Sequence, residues 1–467
     1  MKKIYISITL LLSVISCFSQ TKTSYDFNNN FLLNDKPFFP FGCYGIYWEN
    51  ALSEKLTSLT ELGQAGMNIV CMDDIGETAA REFTKVLDEA QKNNVKVLIG
   101  TPYAPYMKWR AIERKDHPAT FGYTISDDAD NGKFTLAELA NINAEVKKED
   151  PNHITHLTLT GWNSTRRSLA AQFITIADFC SYQCYPICKH RDADFTKANS
   201  LLETYKRTLA YVLEAEKANK PFMMLPQTFS WGSQSSSPCY PSVMELRNMV
   251  YAGLAAGVKG FISYDFSFDL INNQKPLWKE YADLAKDVKS VQSILFENKL
   301  TRHNIADNEL VFSSWRKGDT TLFVIVNTSY TFKKNINQKI DWSIGNQLIP
   351  FSNRLESPLY IENGTLTGSI SPQAVQVYTT VAKPTSLEIE YLANVINIHP
   401  NPAKNELLLN GSIIQSTTYD ITSIEGKGIQ SGMVNSGSIS IENLKAGIYF
   451  IKIKTDEGEK VLRFVKE

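Results

Sequence analysis

Residues 67–103 read "MNIVCMDDIGETAAREFTKVLDEAQKNNVKVLIGTPY". An apolar, extended run ("MNIVCMDD") leads into a helical pattern ("ETAAREFTKVLDEAQKNN") that stops on Asn94, and a second apolar run ("VKVLIGTPY") follows. Strands that are apolar almost throughout are expected of a parallel sheet covered on both faces, and Gly or Asn just past a helix is the usual C-terminal stop.

The rhythm extends in both directions. Upstream lie "PFFPFGCYGIY" and a helix closing on Gly66. Downstream come a short helix around Trp109–Arg114 and the strands "TFGYTISDD", "THLTLTGWN", "ADFCSYQCYPI", "PFMMLPQTFSW" and "KGFISYDFSFD", with helical patterns between and after them. Eight strand–helix units in about 260 residues predict an α/β fold, a (β/α)8 barrel. The competing doubly wound sheet lacks support, because no GxGxxG follows the first strand and no P-loop occurs.

From about residue 300 the period changes to two. "ELVFSSWRKGDTTLFVIVN" predicts a hairpin around its KGD turn, and residues 300–382 are expected to form an all-β sandwich. Residues 383–392 serve as a linker, and residues 393–467 are expected to form a small second β-sandwich with no cluster of ionisable groups. At the other end, Lys2 and Lys3 precede the apolar run Ile4–Ile15 and small residues follow, the pattern of a signal peptide over residues 1–20; "VISC", ending at Cys17, reads alternatively as a lipoprotein cleavage box. The barrel is then residues 21–299. No later run approaches the ~20 apolar residues of a membrane span.

Of the 467 residues, 43% are hydrophobic and 21% charged, and the formal net charge is -1. That balance gives no hint of nucleic acid or an anionic membrane surface. Of seven cysteines six lie beyond Cys17, and export permits disulfides among them. Cys43 and Cys71 sit in apolar strands, as buried thiols do; Cys239 is expected to pair with one of Cys180, Cys184 and Cys188, ahead of a zinc site.

In a barrel of this kind, chemistry gathers where strands end and loops begin. Those positions hold Tyr44, Tyr47 and Trp48 (strand one), Asp73 and Asp74 (two), Tyr103 and Tyr106 (three), and Asp127, Asp128 and Asp130 (four). They continue with Trp162 and Asn163 (five), Tyr182 and Tyr185 (six), Gln227 and Trp231 (seven), and Tyr264, Asp265 and Asp269 (eight). Carboxylates ringed by Tyr and Trp suit a carbohydrate: aromatic faces stack on sugar rings, polar groups bind hydroxyls, and paired carboxyl groups can cleave a glycosidic bond. The plainer alternatives are a solvated turn, an aromatic lid on the core, and helix caps at Asp74 or Asp269. No strand end carries a histidine, which speaks against a metal-dependent hydrolase, and no cofactor is expected.

Two resemblances add to this. The segments "PNPAKNEL", "YDITSIEGK" and "LKAGIYFIKI…GEKVLRFVKE" resemble the type A C-terminal sorting domain of the Bacteroidetes type IX secretion system. That implies the secretion machinery as a partner, export across the outer membrane, and release or surface attachment. "HPATFGYTISDDAD", the Tyr-Pro of "DFCSYQCYPI", "PQTFSW" and "ELRNMVYAGLAAGVKGFISYDF" resemble the barrel of glycoside-hydrolase-like proteins of polysaccharide-degrading Bacteroidetes. That family ends its fourth strand in Asp-Glu-Pro; where it has Glu and Pro, this chain has Asp128 and Ala129. The seventh strand offers Gln227, which cannot act as a carboxylate nucleophile. The resemblance implies a secreted glycosidase; given the departures, the first reading takes Asp128 as general acid and an Asp from another strand, Asp265 before others, as base or nucleophile. Two further readings remain open: Asp127 and Asp128 as an adjacent pair, as in substrate-assisted N-acetylhexosaminidases, or a barrel that only binds glycan. Expected substrate contacts are Tyr44, Trp48, Asp74, Tyr103, Trp162, Asn163, Tyr185, Gln227, Trp231, Tyr264 and Asp269.

Overall fold

A computed structural model describes residues 20–46, 50–74, 80–161, 163–188, 196, 198–231, 239–266, 268–297, 299–340, 348–350, 359–380, 397–410, 417–423, 427–434, 437–455 and 458–467. Eight parallel strands close into a barrel: β1 (Phe41–Tyr44), β2 (Ile69–Asp73), β3 (Lys96–Gly100), β4 (Thr120–Ser126), β5 (Ile154–Leu159), β6 (Phe179–Cys184), β7 (Phe222–Pro226) and β8 (Phe261–Tyr264). Between them run α1 (Leu52–Gln64), α2 (Ala80–Lys92), α3 (Met107–Arg114), α4 (Leu136–Glu149), α5 (Ser164–Ser168), α6 (Ala170–Ile176), α7 (Ser200–Lys217) and α8 (Val243–Ala256); α9 (Phe268–Asn273) and α10 (Lys275–Leu295) follow β8. Gly66, Asn94, Asn219 and Gly257, just past four of these helices, have positive φ, the left-handed turn that Gly and Asn tolerate.

Side chains alternate between the barrel interior and the helix layer, as the period of a strand requires. Ile69 and Cys71 of β2 point inward and Val70 and Met72 outward; on β6, Phe179 points inward and Cys180 outward. The interior core continues with Leu98, Ile154, Met223, Leu225 and Ile262. A three-stranded antiparallel sheet (Thr23–Tyr25, Phe31–Leu33, Lys36–Pro37) precedes the barrel and was not legible in the sequence. It delivers Phe31 into the interior cluster, fully buried, with its ring edge-on to Phe179 at 4.9 Å.

The predicted hairpin is present, Leu310–Lys317 pairing with Thr320–Asn327. It belongs to a five-stranded sheet, and a three-stranded sheet (Lys334–Lys339, Tyr360–Glu362, Thr365–Ile370) accompanies it. Val311, Trp315, Leu322, Val324 and Val377 of the larger sheet share one hydrophobic core with the barrel helices. Ser313 Oγ donates to the carbonyl of Ala255 at 2.8 Å, and Asn248 Nδ2 donates to that of Asn327 at 2.8 Å. The chain accordingly divides into two compact units, Met1–Thr380 and Val381–Glu467. The second unit has its own core, including Leu407, Ile421, Ile451, Ile453 and Phe464, between a three-stranded and a four-stranded antiparallel sheet.

Cys188 pairs with Cys239, while Cys43, Cys71, Cys180 and Cys184 are buried free thiols. This agrees with one member of the trio pairing with Cys239. Among the described residues, no helix is long and apolar enough to cross a membrane.

Candidate active site

The outermost inward-facing layer of the barrel carries polar groups where the layers below carry aliphatic and aromatic ones. On β2 the alternation from Ile69 and Cys71 brings Asp73 inward and turns Asp74 outward. Asp73 lies beside Gly100 of β3 in register, and only a glycine there leaves space: a Cβ on Gly100 would stand 2.2 Å from Asp73 Oδ1. On β4 the alternation is interrupted by register shifts against both neighbours, and the chain passes Ser126 into Asp127 and Asp128. Asp128 itself adopts φ 48° and ψ 44°, a left-handed conformation that Asp tolerates better than most residues. Asp73, Asp127 and Asp128 line one cavity of about 270 Å³ together with Tyr44, Thr101, Thr124, Ser126, Asn131, Lys133 and Phe134.

Two side chains missed in the sequence organise the pair. Thr158, inward on β5, donates its hydroxyl to Asp127 Oδ1 and accepts the Asp128 amide at 2.8 Å. Gln183, inward on β6, donates through Nε2 to Asp128 Oδ1 at 2.6 Å and to Asp127 Oδ1 at 3.2 Å. Counting inward positions from Phe179 through Ser181 reaches Gln183, so a strand-periodicity signal existed.

Burial raises the pKa of all three carboxyl groups. Asp73 is pushed up to about 6 by burial, then by the neighbouring charges of Asp127 and Asp74. Asp128 is also raised to about 6, by burial and then by Asp127, with Gln183 and Arg166 opposing. Asp127 is raised by burial, against hydrogen bonds from Thr158, the Asp128 amide, Tyr44 and Gln183.

Aromatic side chains from β1, β6, β7 and β8 face this acidic half. Tyr264 packs against Tyr44 (centroids 5.8 Å), Tyr185 (5.6 Å) and Phe229 (5.3 Å), and Trp231 meets Phe229 at 4.9 Å. Phe229 is a further member the sequence did not single out. The fields of Asp127, Asp128 and Asp265 all reach the Tyr185 hydroxyl, after burial the main causes of its raised pKa along with Tyr264.

Several expected members are engaged with the scaffold. Asp74 is buried among the helices, where Arg114 Nε donates to its Oδ2 at 2.8 Å; the strand period turns it away from the mouth. Gln227 is fully buried, its Oε1 accepting from the Ile187 amide at 2.9 Å and its Nε2 donating to the carbonyls of Ile187 and Phe229. Its amide is therefore spent on tying the β6 loop to the end of β7. Asn163 Oδ1 accepts the Arg166 amide at 2.9 Å as the N-cap of α5. Asp130 accepts from Thr160 and Gly161, and Tyr182 stacks on Tyr211 of α7 at 4.7 Å. Asp265, at the end of β8 on the aromatic side, is not among the described residues lining the cavity. Tyr103 is exposed at its edge. Tyr47, Trp48 and Trp162 lie outside the described residues, as does the side chain of Asp269.

Against known proteins, residues 397–467 match the family model "Secretion system C-terminal sorting domain". The tail is a secretion sorting domain. It addresses the chain for type IX export, to the cell surface or the medium. No curated protein matches the chain. Among solved structures, a Bacteroides fragilis protein described as a "putative alpha-galactosidase" superposes with a TM-score of 0.51 at 11% identity, over 73% of this chain and 78% of that one. A glycoside hydrolase family 30 subfamily 8 xylanase from Clostridium acetobutylicum gives 0.47 at 12% identity, over 78% and 97%. A family 30 endoxylanase from Clostridium papyrosolvens gives 0.46 at 10% identity, over 78% and 98%. The first likeness supports the barrel fold.

Proposed function

We propose that the exported protein is a glycoside hydrolase that cleaves its substrate between β2 and β4. The observation that carries this is the convergence of Asp73, Asp127 and Asp128 on one cavity lined also by Tyr44 and Phe134, with Tyr264 and Tyr185 packed in series beyond Tyr44. Clustered carboxyl groups with raised pKa values in a cleft are what acid–base catalysis near neutral pH requires.

The roles follow from the hydrogen bonds. Asp127 collects donors from Thr158, Tyr44 and Gln183, which stabilise its ionised form, whereas Gln183 is the side chain that donates to Asp128. Two carboxyl groups so close titrate as a pair, and we assign the proton they share to Asp128, which has fewer donors holding it ionised. Asp128 is then the general acid, passing its proton to the glycosidic oxygen as the bond to the anomeric carbon breaks. Asp127 remains the anion that steadies positive charge on the ring. Asp73 supplies the carboxylate on another strand, in the position of base or nucleophile that the sequence had suggested for Asp265. Tyr44, Tyr185 and Tyr264 offer the apolar wall.

A second reading is favoured by the adjacency of Asp127 and Asp128 and the locked amide of Gln227: Asp127 orients a substrate acetamido group that itself attacks. In that case only N-acetylhexosamine substrates turn over, and Asp73→Asn leaves turnover standing.

The test is a panel of polysaccharides and aryl glycosides offered to the exported protein and to Asp128→Asn. Turnover by the parent and its loss in the variant, with glycan still bound, is the expected result. Equal glycan binding by both, with no turnover by either, would make the barrel a binding module.

A further inference from the structure

Tyr103, Tyr106 and Trp109 follow one another at three-residue intervals. The first two bracket a single 3-10 turn, Ala104–Tyr106, and the third lies in the opening turn of α3. Residues three apart are neighbours on a helix, which puts Trp109 on the side of α3 next to Tyr106, and the Tyr103 ring packs on that of Tyr106. They are 51%, 53% and 51% exposed, and the Tyr103 and Tyr106 centroids are 5.1 Å apart. Neither tyrosine hydroxyl has a hydrogen-bond partner among the described residues. Large side chains concentrated on the surface in this way mark a binding face; the exposed Phe27, Phe332 and Tyr360 are scattered by comparison.

The platform continues the candidate active site. Thr101, Pro102 and Ala104, on either side of Tyr103, line the carboxylate cavity, and Phe134 lines it from the β4 loop. The cavity itself is small. At about 270 Å³ it falls below the ~300–1,000 Å³ usual for drug-sized ligands, so a glycan of several units must leave it across a rim. Lys108 steadies the Trp109 ring, its ammonium 5.4 Å from the ring centroid and 3.5 Å from Glu145 Oε1 of α4.

We propose that Tyr103, Tyr106 and Trp109 form a stacking rail for successive rings of a polysaccharide chain whose scissile unit lies in the cavity, so that the substrate is a polymer and not a mono- or disaccharide. The inference rests on the glycosidase reading for its direction, from cavity to rail, but its binding arm can fail or succeed alone.

The experiment uses the full exported chain and the double variant Tyr103→Ser/Tyr106→Ser, with Phe332→Ser/Tyr360→Ser as a surface control. Affinity electrophoresis in gels containing each soluble polysaccharide measures binding, and kcat/KM is compared between the polymer and an aryl glycoside of its repeating unit. The rail predicts that the polymer-to-aryl-glycoside ratio of kcat/KM falls at least tenfold in the double variant, with lost retardation in the gel, while the control behaves as the parent. An unchanged ratio and unchanged retardation overturn the rail and leave the glycosidase reading intact. Retardation that depends on the rail without turnover by the parent overturns the glycosidase reading and keeps the rail. If the substitutions instead change the sedimentation of the protein without glycan, the face binds a second copy and the rail is overturned.

Discussion

Gln183 Nε2 donates to Asp128 Oδ1 at 2.6 Å, and the same nitrogen reaches Asp127 Oδ1 at 3.2 Å. One amide from β6 thus holds two consecutive carboxyl groups of the β4 loop in a fixed relation. A donor to the ionised form lowers a pKa, so Gln183→Leu should raise the pKa of both. The high-pH limb of kcat/KM should move upward by at least half a unit, with kcat reduced roughly tenfold or more. A pH–rate profile coincident with that of the parent would remove Gln183 from the machinery.

Asp128→Asn should lower kcat by ~10²–10⁴, the range of a lost general acid, with glycan affinity retained in equilibrium binding. Asp73→Asn should do the same if Asp73 is the base or nucleophile. Full turnover by Asp73→Asn on substrates lacking an acetamido group contradicts that role.

The parent's pH dependence follows from Asp73 and Asp128, both raised to about 6. Activity that needs an ionised Asp73 and a protonated Asp128 is confined to a narrow bell centred near pH 6, whose limbs belong to the coupled cluster. The same shifts act on stability. A carboxyl group whose folded pKa is raised contributes stability below its unfolded pKa near 4. That contribution disappears as the pH rises through the folded value near 6. Asp128→Asn should therefore melt higher than the parent at pH 7 and differ little at pH 4, as differential scanning calorimetry would record. A variant that melts lower at pH 7 contradicts the burial argument.

Gly100→Ala places a methyl group where Asp73 Oδ1 now lies, 2.2 Å from the ideal Cβ. The carboxyl must swing away, so the variant should lose activity by a factor comparable to Asp73→Asn while folding into the same barrel by circular dichroism. Wild-type rates in Gly100→Ala would separate Asp73 from the chemistry.

Asp74, one residue on, should behave in the opposite manner. It is 1% exposed and paired with Arg114 at 2.8 Å. Asp74→Ala strands a buried guanidinium, which costs about 3–5 kcal/mol. Chemical denaturation should show that loss, while kcat of the folded fraction stays near the parent's.

The contrast between Asp73 and Asp74 marks where the sequence was informative. Eight apolar runs gave the barrel because burial on both faces leaves no room for polar residues. "GYTISDDAD" announced its carboxylates because charge at the end of a buried strand needs a use. Which of two adjacent aspartates faces inward is a matter of phase, and a one-residue error exchanges the interior for the helix layer. The inward set Ile69, Cys71, Asp73 would have resolved it on β2. Thr158 and Gln183 stayed hidden because lone polar residues in a strand carry no compositional signal. The amide of Gln227 satisfies main-chain groups of a loop 40 residues away in sequence, a partnership with no local signal. Asp265, one residue past the end of β8, lies beside the aromatic cluster and not in the lining of the carboxylate cavity.

Phe31 has a practical bearing on how the protein is produced. Its ring fills the floor of the barrel, and Thr23 ties the same segment to the carbonyl of Phe121 through its hydroxyl at 2.7 Å. A recombinant chain begun at Pro40, where the first barrel strand approaches, would leave that floor open and let solvent reach the aromatic underside of the interior. Losing a buried phenylalanine of this kind costs about 3–5 kcal/mol, enough to turn a well-behaved exported protein into inclusion bodies. The residues ahead of the barrel, easily trimmed as a tail, are the stopper of the vessel.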